Sequence, residues 1–152
     1  MTDPTIRELL SYRLHQITGD AKWRTWVDEL TAAVLASGAP EQQSAGYWNN
    51  ISQCCGNVGI GQYCLDLARY HRTPAIAGLR ERVEKNTIAR ATDDADGLRW
   101  AQAENRVSPD AVVAQTGFMQ GAAGVGTFFL QIDAFTQGRA WPTPLPDTPW
   151  VG

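Results

Sequence analysis

A glycine cassette occurs twice in this chain at a fixed separation. Displaced by 65 residues, Gly56 falls on Gly121, Gly59 on Gly124, Gly61 on Gly126 and Leu65 on Leu130. Alongside them Ile60 meets Val125, Tyr63 meets Phe128 and Tyr70 meets Phe135. The shared pattern is G-x-x-G-h-G-x-h, with h apolar. A displacement of 53 residues brings in the N-terminal segment, where Leu14 meets Leu67, Ile17 meets Tyr70, Trp23 meets Ile76 and Trp26 meets Leu79. Self-similarity of this kind is the mark of a repeat architecture. Each unit reads as a glycine-rich helix, a short link and a more amphipathic second helix. One unit cannot bury its apolar faces alone, so such units stack side by side. At the 53-residue displacement Met1 lies opposite Cys54, so the first unit keeps only the later part of its glycine-rich helix, and the expectation is about two and a half repeats.

Periodicity along the rest of the chain agrees with this plan. Residues 5 to 36 carry apolar residues at helical spacing, Ile6, Leu9, Leu10, Leu14 and Ile17, then Trp23, Trp26, Val27, Leu30, Val34 and Leu35, with a break at "TGD". "SGAPEQQSAG" reads as a loop. Helices are expected from Asn57 to Tyr70, from Pro74 to Ala91 and over residues 121 to 136. Pro74 suits a first helical turn, where its missing N–H costs nothing. "TDDADG" closes the second of these helices, residues 98 to 114 carry no clear period, and no strand exceeds a few residues. Residues 141 to 152 form a proline-rich tail that cannot be helical. The fold class is all-α, in one domain spanning residues 1–152.

Composition narrows the partners. A net charge of -3, with 13 basic residues spread along the chain, argues against nucleic acid, which needs clustered Lys and Arg. No stretch approaches the ~20 apolar residues of a membrane span. The N-terminus lacks the pattern of a secretory signal, so the cytoplasm is the expected compartment. Three cysteines are too few for a disulfide framework.

The chemistry-bearing feature is "SQCCGNVGIGQY", where Cys54 and Cys55 stand side by side at the mouth of a glycine-rich helix. A metal site, a redox pair, a reactive nucleophile and plain packing all fit adjacent thiols. Cys64 lies about 14 Å along the same helix at 1.5 Å per residue, too far to share a metal with Cys54, and reads as core. Glycines opening a helix also suit a phosphate loop. Here no strand precedes them and no Lys-Ser/Thr pair follows, so close helix approach is the reading preferred for the glycines.

Taken with "QTGFMQGAAGVG" and the ending "LPDTPW", the cassette "CCGNVGIG" resembles the lanthionine synthetase C-like family, which includes the lantibiotic cyclases. The resemblance covers residues 46 to 150 well and residues 5 to 36 as an outer-helix pattern. It implies a segment of an α/α toroid, an inner ring of glycine-opened helices within an outer ring. It also implies one zinc ion in the central cavity, held by a cysteine from an earlier cassette and an adjacent Cys-His pair. The implied reaction adds a cysteine thiolate to dehydroalanine or dehydrobutyrine, closing thioether rings in peptides. Carried onto this chain, Cys54 matches the cysteine ligand and Cys55 occupies the histidine position. Cysteine binds zinc as histidine does. With three thiolates the centre would be net negative where two thiolates and an imidazole leave it neutral, acidifying an incoming thiol less but leaving a better nucleophile. The third protein ligand belongs to a cassette preceding Cys54 and is missing from these 152 residues, as are the family's assisting His, Tyr, Asp and Arg.

The remaining candidates follow from the same frame. Gly56, Gly59, Gly61, Gly117, Met119, Gln120, Gly121, Gly124 and Gly126 are expected to line the cavity as cassette residues. Met119 and Gln120 hold the places of Cys54 and Cys55 and are not zinc ligands. Glu104 and Arg106 are candidate substrate contacts beside the plainer reading of a surface ion pair. His15 and His71 fall in links between helices, expected in solvent, and Trp23 with Trp26 form an apolar face for core or inter-repeat packing. Expected partners are a peptide or small-thiol substrate and, for the open ends of the repeat, a second copy or a missing N-terminal half of the ring. The rival reading is a noncatalytic helical-repeat module, a scaffold or a degenerate fragment.

Overall fold

The computed structural model describes residues 4–42, 50–69, 71–103, 107–108 and 110–140. Its first hairpin is α1 (Pro4–Thr18) and α2 (Ala21–Ala36), and its second is α3 (Asn57–Ala68) and α4 (Pro74–Ala89). The chain then makes two small antiparallel ribbons, β1 (Thr92–Asp94) with β2 (Gly97–Arg99) and β3 (Ala101–Ala103) with β4 (Val112–Ala114), before α5 (Ala122–Thr136). The expected helical-hairpin repeat is therefore present.

Local chemistry sets the boundaries. Gly19 takes a left-handed φ of 67° and donates its N–H to the His15 carbonyl at 2.8 Å, ending α1. Asp20 then caps α2 by accepting from the Lys22 amide at 2.9 Å, and this bond, with the Lys22 side chain behind it, holds the Asp20 carboxyl below its ordinary range. Thr73 caps α4 on the Ile76 amide, with Pro74 in the first turn. The "TDDADG" stretch does more than close α4, correcting the sequence reading. The helix stops at Ala89, and Thr92 pairs with Arg99 across a tight turn that puts Gly97 at φ 98°. Between the ribbons Trp100 is buried, and its indole N–H donates to the Thr87 carbonyl at 2.8 Å, pinning both ribbons to the end of α4.

Helix α3 is the centre of the molecule. It packs on α4 within its hairpin and is flanked by α1 on one side and α5 on the other. Every residue of α3 except Ile60 is buried, as a helix covered on all sides requires. The units lock through one aromatic each. Phe128 of α5 lies over Gly61, where an added Cβ would also come within 2.9 Å of Val83 on α4. The Tyr63 hydroxyl of α3 makes the corresponding reach into the previous hairpin, meeting the Thr31 hydroxyl on α2. An aromatic on each inner helix thus enters the crevice of the hairpin before it.

The outer units show what this packing does by leaving it unfinished. Leu65 is 0% exposed, while Leu130, its repeat partner on α5, is 58% exposed. Leu79 is 2% exposed and Trp26, its partner on α2, is 51% exposed. Trp26 and Trp23 stand edge to face at 5.2 Å and border an apolar crevice of about 600 Å³ with Leu10, Leu14 and Leu30. Trp26 is therefore not core within this chain, because the α1–α2 hairpin meets α3 through its other face, where Val27 and Val34 are buried.

Matched substitutions check this difference between unit positions. Gly61→Ala is expected to destabilise the fold by about 1–3 kcal/mol by overpacking the Phe128–Val83 contact. Gly126→Ala, at the equivalent place with nothing within 4 Å, is expected to stabilise it by about 0.5–1 kcal/mol through helix propensity. Urea unfolding of the two variants reads the opposite signs.

Candidate functional site

Both glycine cassettes are loops folded back onto the N-terminus of the helix they open. In the first, the Asn57 and Val58 amides of α3 donate to the Asn50 and Ile51 carbonyls at 3.2 and 3.1 Å. In the second, the Ala122 and Ala123 amides of α5 donate to the Gln115 and Thr116 carbonyls at 2.9 and 3.2 Å. The two bond pairs stand 65 residues apart, so the repeat extends to individual hydrogen bonds. Helix-opening amides that would otherwise lack partners are thereby satisfied by the chain itself. The same amides are the ones a phosphate would need, and here the chain's own carbonyls occupy them.

The fold-back is what demands the glycines. A Cβ on Gly56 would lie 2.6 Å from the Ile51 carbonyl carbon and 2.7 Å from the Asn50 oxygen, and one on Gly121 would lie 2.7 Å from the Thr116 nitrogen. Gly59 faces the Gln53 carbonyl at 2.6 Å, and Gly124 faces the Phe118 carbonyl. Of the cassette glycines, Gly61 alone meets another helix in the way expected for the whole set; the first two in each cassette admit their own loop.

Cys54 and Cys55 cross the top of the first loop, both as exposed thiols. The Cys55 amide donates to the Ser52 hydroxyl at 3.4 Å, and the Asn50 side-chain amide reaches the Cys55 sulfur at 3.6 Å. Asn50 in turn accepts from the Ser52 amide at 2.8 Å. The loop and sulfur are thus oriented from below by Asn50 and Ser52, two residues that sequence reading passed over.

The two cassettes touch. The Cys54 amide donates to the Met119 carbonyl at 2.9 Å, joining the matched positions of the two loops. Gln53 is buried at the same seam, its Cβ 3.1 Å from where Gly124 would carry one. Gln102 of β3, 1% exposed, accepts from the Ile51 amide at 2.9 Å and donates to the Gln120 carbonyl. Nothing in "WAQAEN" marks this glutamine, since its partners are backbone groups 51 and 18 residues away.

The other candidates fall elsewhere. Met119 is half exposed on the second loop and Gly117 is open to solvent. Cys64 is fully buried within α3, as expected of a core cysteine. His15 and His71 are half-buried at helix ends rather than fully in solvent, and the His15 Nδ1 lies 3.2 Å from the Asp20 carbonyl. Glu104, Arg106, Tyr70 and the 141–152 tail lie outside the described residues. Among the described residues, no group of three or more His, Cys, Asp or Glu gathers around a common point.

The cassette geometry makes a direct prediction. Gly56→Ala drives a methyl group into loop backbone and is expected to cost at least about 2 kcal/mol. Gly117→Ala, with open space at its Cβ, is expected to change stability by less than about 0.5 kcal/mol. Thermal unfolding of both variants separates the two kinds of cassette glycine.

Neither a curated protein nor a solved structure matches this chain. No helix among the described residues is long and apolar enough to cross a membrane. The family model described as lanthionine synthetase C-like protein matches residues 10–145, a span that runs from within α1 through α5 and takes in both cassettes and the seam between them. With its helical hairpins and paired glycine cassettes forming a segment of an α/α toroid, this chain belongs to the lanthionine synthetase C-like family.

Proposed function

We propose that Cys54 and Cys55 supply two thiolate ligands to a zinc ion in a cytoplasmic, thioether-forming member of this family. The observation that carries the reading is the pair of adjacent, exposed thiols on a loop fixed from below by Ser52 and Asn50 and tied sideways to the second cassette. Side chains serving as packing would lie in hydrocarbon, as Cys64 does. When bound, zinc would keep an incoming substrate thiol in its thiolate form near neutral pH.

What the chain contributes is placement. The fold-back loop carries both exposed cysteines at the mouth of α3, and the second cassette meets it where the Met119 carbonyl accepts from the Cys54 amide. A third protein ligand comes from a further cassette, in the remainder of the ring or in a second copy. The substrate class is a peptide carrying dehydroalanine or dehydrobutyrine together with a cysteine, or a small thiol as the nucleophile. In the overall reaction the sulfur bonds to the β-carbon, the C=C bond becomes single, and the thiol hydrogen is balanced by a proton gained at the α-carbon.

Metal content tests the assignment. Zinc measured on the purified protein is expected near one ion per chain when a third ligand is supplied, and near zero after Cys54→Ala or Cys55→Ala. Zinc that survives both substitutions overturns it. A protein that takes no zinc even when zinc and a third thiol ligand are supplied also overturns it, and supports the rival reading of a noncatalytic helical-repeat module.

A further inference from the structure

We propose that Gln102 is a positioning residue for the cysteine pair, a buried clamp that fixes the Cys54–Cys55 loop against the second cassette. For its functional meaning this rests on the zinc reading above; the clamp itself does not.

Most bonds of the first loop are internal. Gly56 donates to the Ser52 carbonyl, Cys55 to the Ser52 hydroxyl, and the first amides of α3 to residues 50–52. The loop and the start of α3 therefore move as one piece. Two described hydrogen-bonded links cross from that piece to the second cassette. One is the backbone bond from Cys54 to Met119, and the other is the Gln102 side chain, which takes the Ile51 amide on one side and gives to the Gln120 carbonyl on the other.

The chemistry of the seam selects an amide. It presents an N–H at Ile51 and a carbonyl at Gln120, so the bridging side chain must accept and donate at once. An apolar residue of the same size leaves both backbone groups without that partner, a carboxylate cannot donate, and asparagine is one methylene shorter. Gln102 is itself held. It is the buried residue of β3, paired opposite Val113, and the neighbouring Trp100 ties the ribbon to α4. A continuous path thus runs from the α4 helix end through Trp100 and Gln102 to both cassettes. Groups that orient metal ligands from behind commonly contribute about 10–100-fold to metal affinity.

Two readouts on the full chain test the clamp, with cobalt(II) as the probe for its thiolate charge-transfer absorption. Gln102→Leu is expected to weaken cobalt binding about 10–100-fold. Leu79→Ala, a core truncation on α4 away from the loop, is expected to lower the melting temperature but leave cobalt affinity unchanged. Amide hydrogen exchange supplies a measurement that needs no metal. Protection at Ile51 and Cys54 is expected to fall in Gln102→Leu while the core amides of α4 keep theirs. Gln102→Glu is expected to restore that protection when its carboxyl is protonated, because the neutral acid both donates and accepts, and to lose it on ionisation. Unchanged protection at Ile51 and Cys54 in Gln102→Leu overturns the clamp. Lost protection with unchanged cobalt affinity overturns its positioning role. Should the wild-type chain take no cobalt even with a third thiol ligand supplied, the zinc reading fails by itself, and the exchange data alone decide whether the clamp exists.

Discussion

The structure depends on a loop folding back over the start of its own helix. Carbonyls of Asn50 and Ile51, and again of Gln115 and Thr116, satisfy the first amides of α3 and α5. An unsatisfied buried backbone group would cost about 1–3 kcal/mol, so the fold-back resolves a general problem of buried helix ends. Its steric condition is severe: at Gly56 and Gly121 the loop backbone occupies the space a Cβ would need. Because most bonds of the loop are made by backbone, its outer surface can carry different side chains. Cys54 and Cys55 stand there on one loop, Met119 and Gln120 on the other. One backbone device therefore carries two different pairs of side chains.

Repetition also explains why equal residues have unequal weight. The α3 helix has neighbours on both sides, and its apolar residues are core. On α5 the face holding Val125, Phe128 and Ile132 is buried against what precedes it, while Gly126 and Leu130 face outward. Nothing in the residue types distinguishes Leu65 from Leu130. Their burial is decided by position in the stack, which is the nearest-neighbour logic of a repeat protein.

The repeat, the helices and the cassettes were legible in sequence because each leaves a periodic or positional signal. The 65-residue displacement located α3 and α5 to within two residues at each end, and "TGD" marked the break that Gly19 and Asp20 make in the structure. The glycines were visible, but their main reason was not. Close approach between helices holds at Gly61, whereas Gly56, Gly59, Gly121 and Gly124 admit their own loops. A glycine requirement shows that space is needed without saying what fills it. The ribbons of residues 92 to 114 gave no period, since three-residue strands are too short to alternate and all but one of their positions turn away from the core. Gln102 was illegible for a stronger reason. Its partners are a backbone N–H and a backbone C=O, and backbone groups have no residue identity to search for.

The seam between cassettes follows the repeat itself. Cys54 and Met119 are equivalent positions in successive units, and the amide of the first is bonded to the carbonyl of the second. A contact between equivalent positions can propagate from unit to unit, so each further unit brings its own loop up against the last. Side chains at these positions are then gathered by the backbone rather than by their sequence neighbours. Two adjacent cysteines on one loop are already close. Cys54 and Met119, 65 residues apart in sequence, are neighbours in space because of that backbone relation.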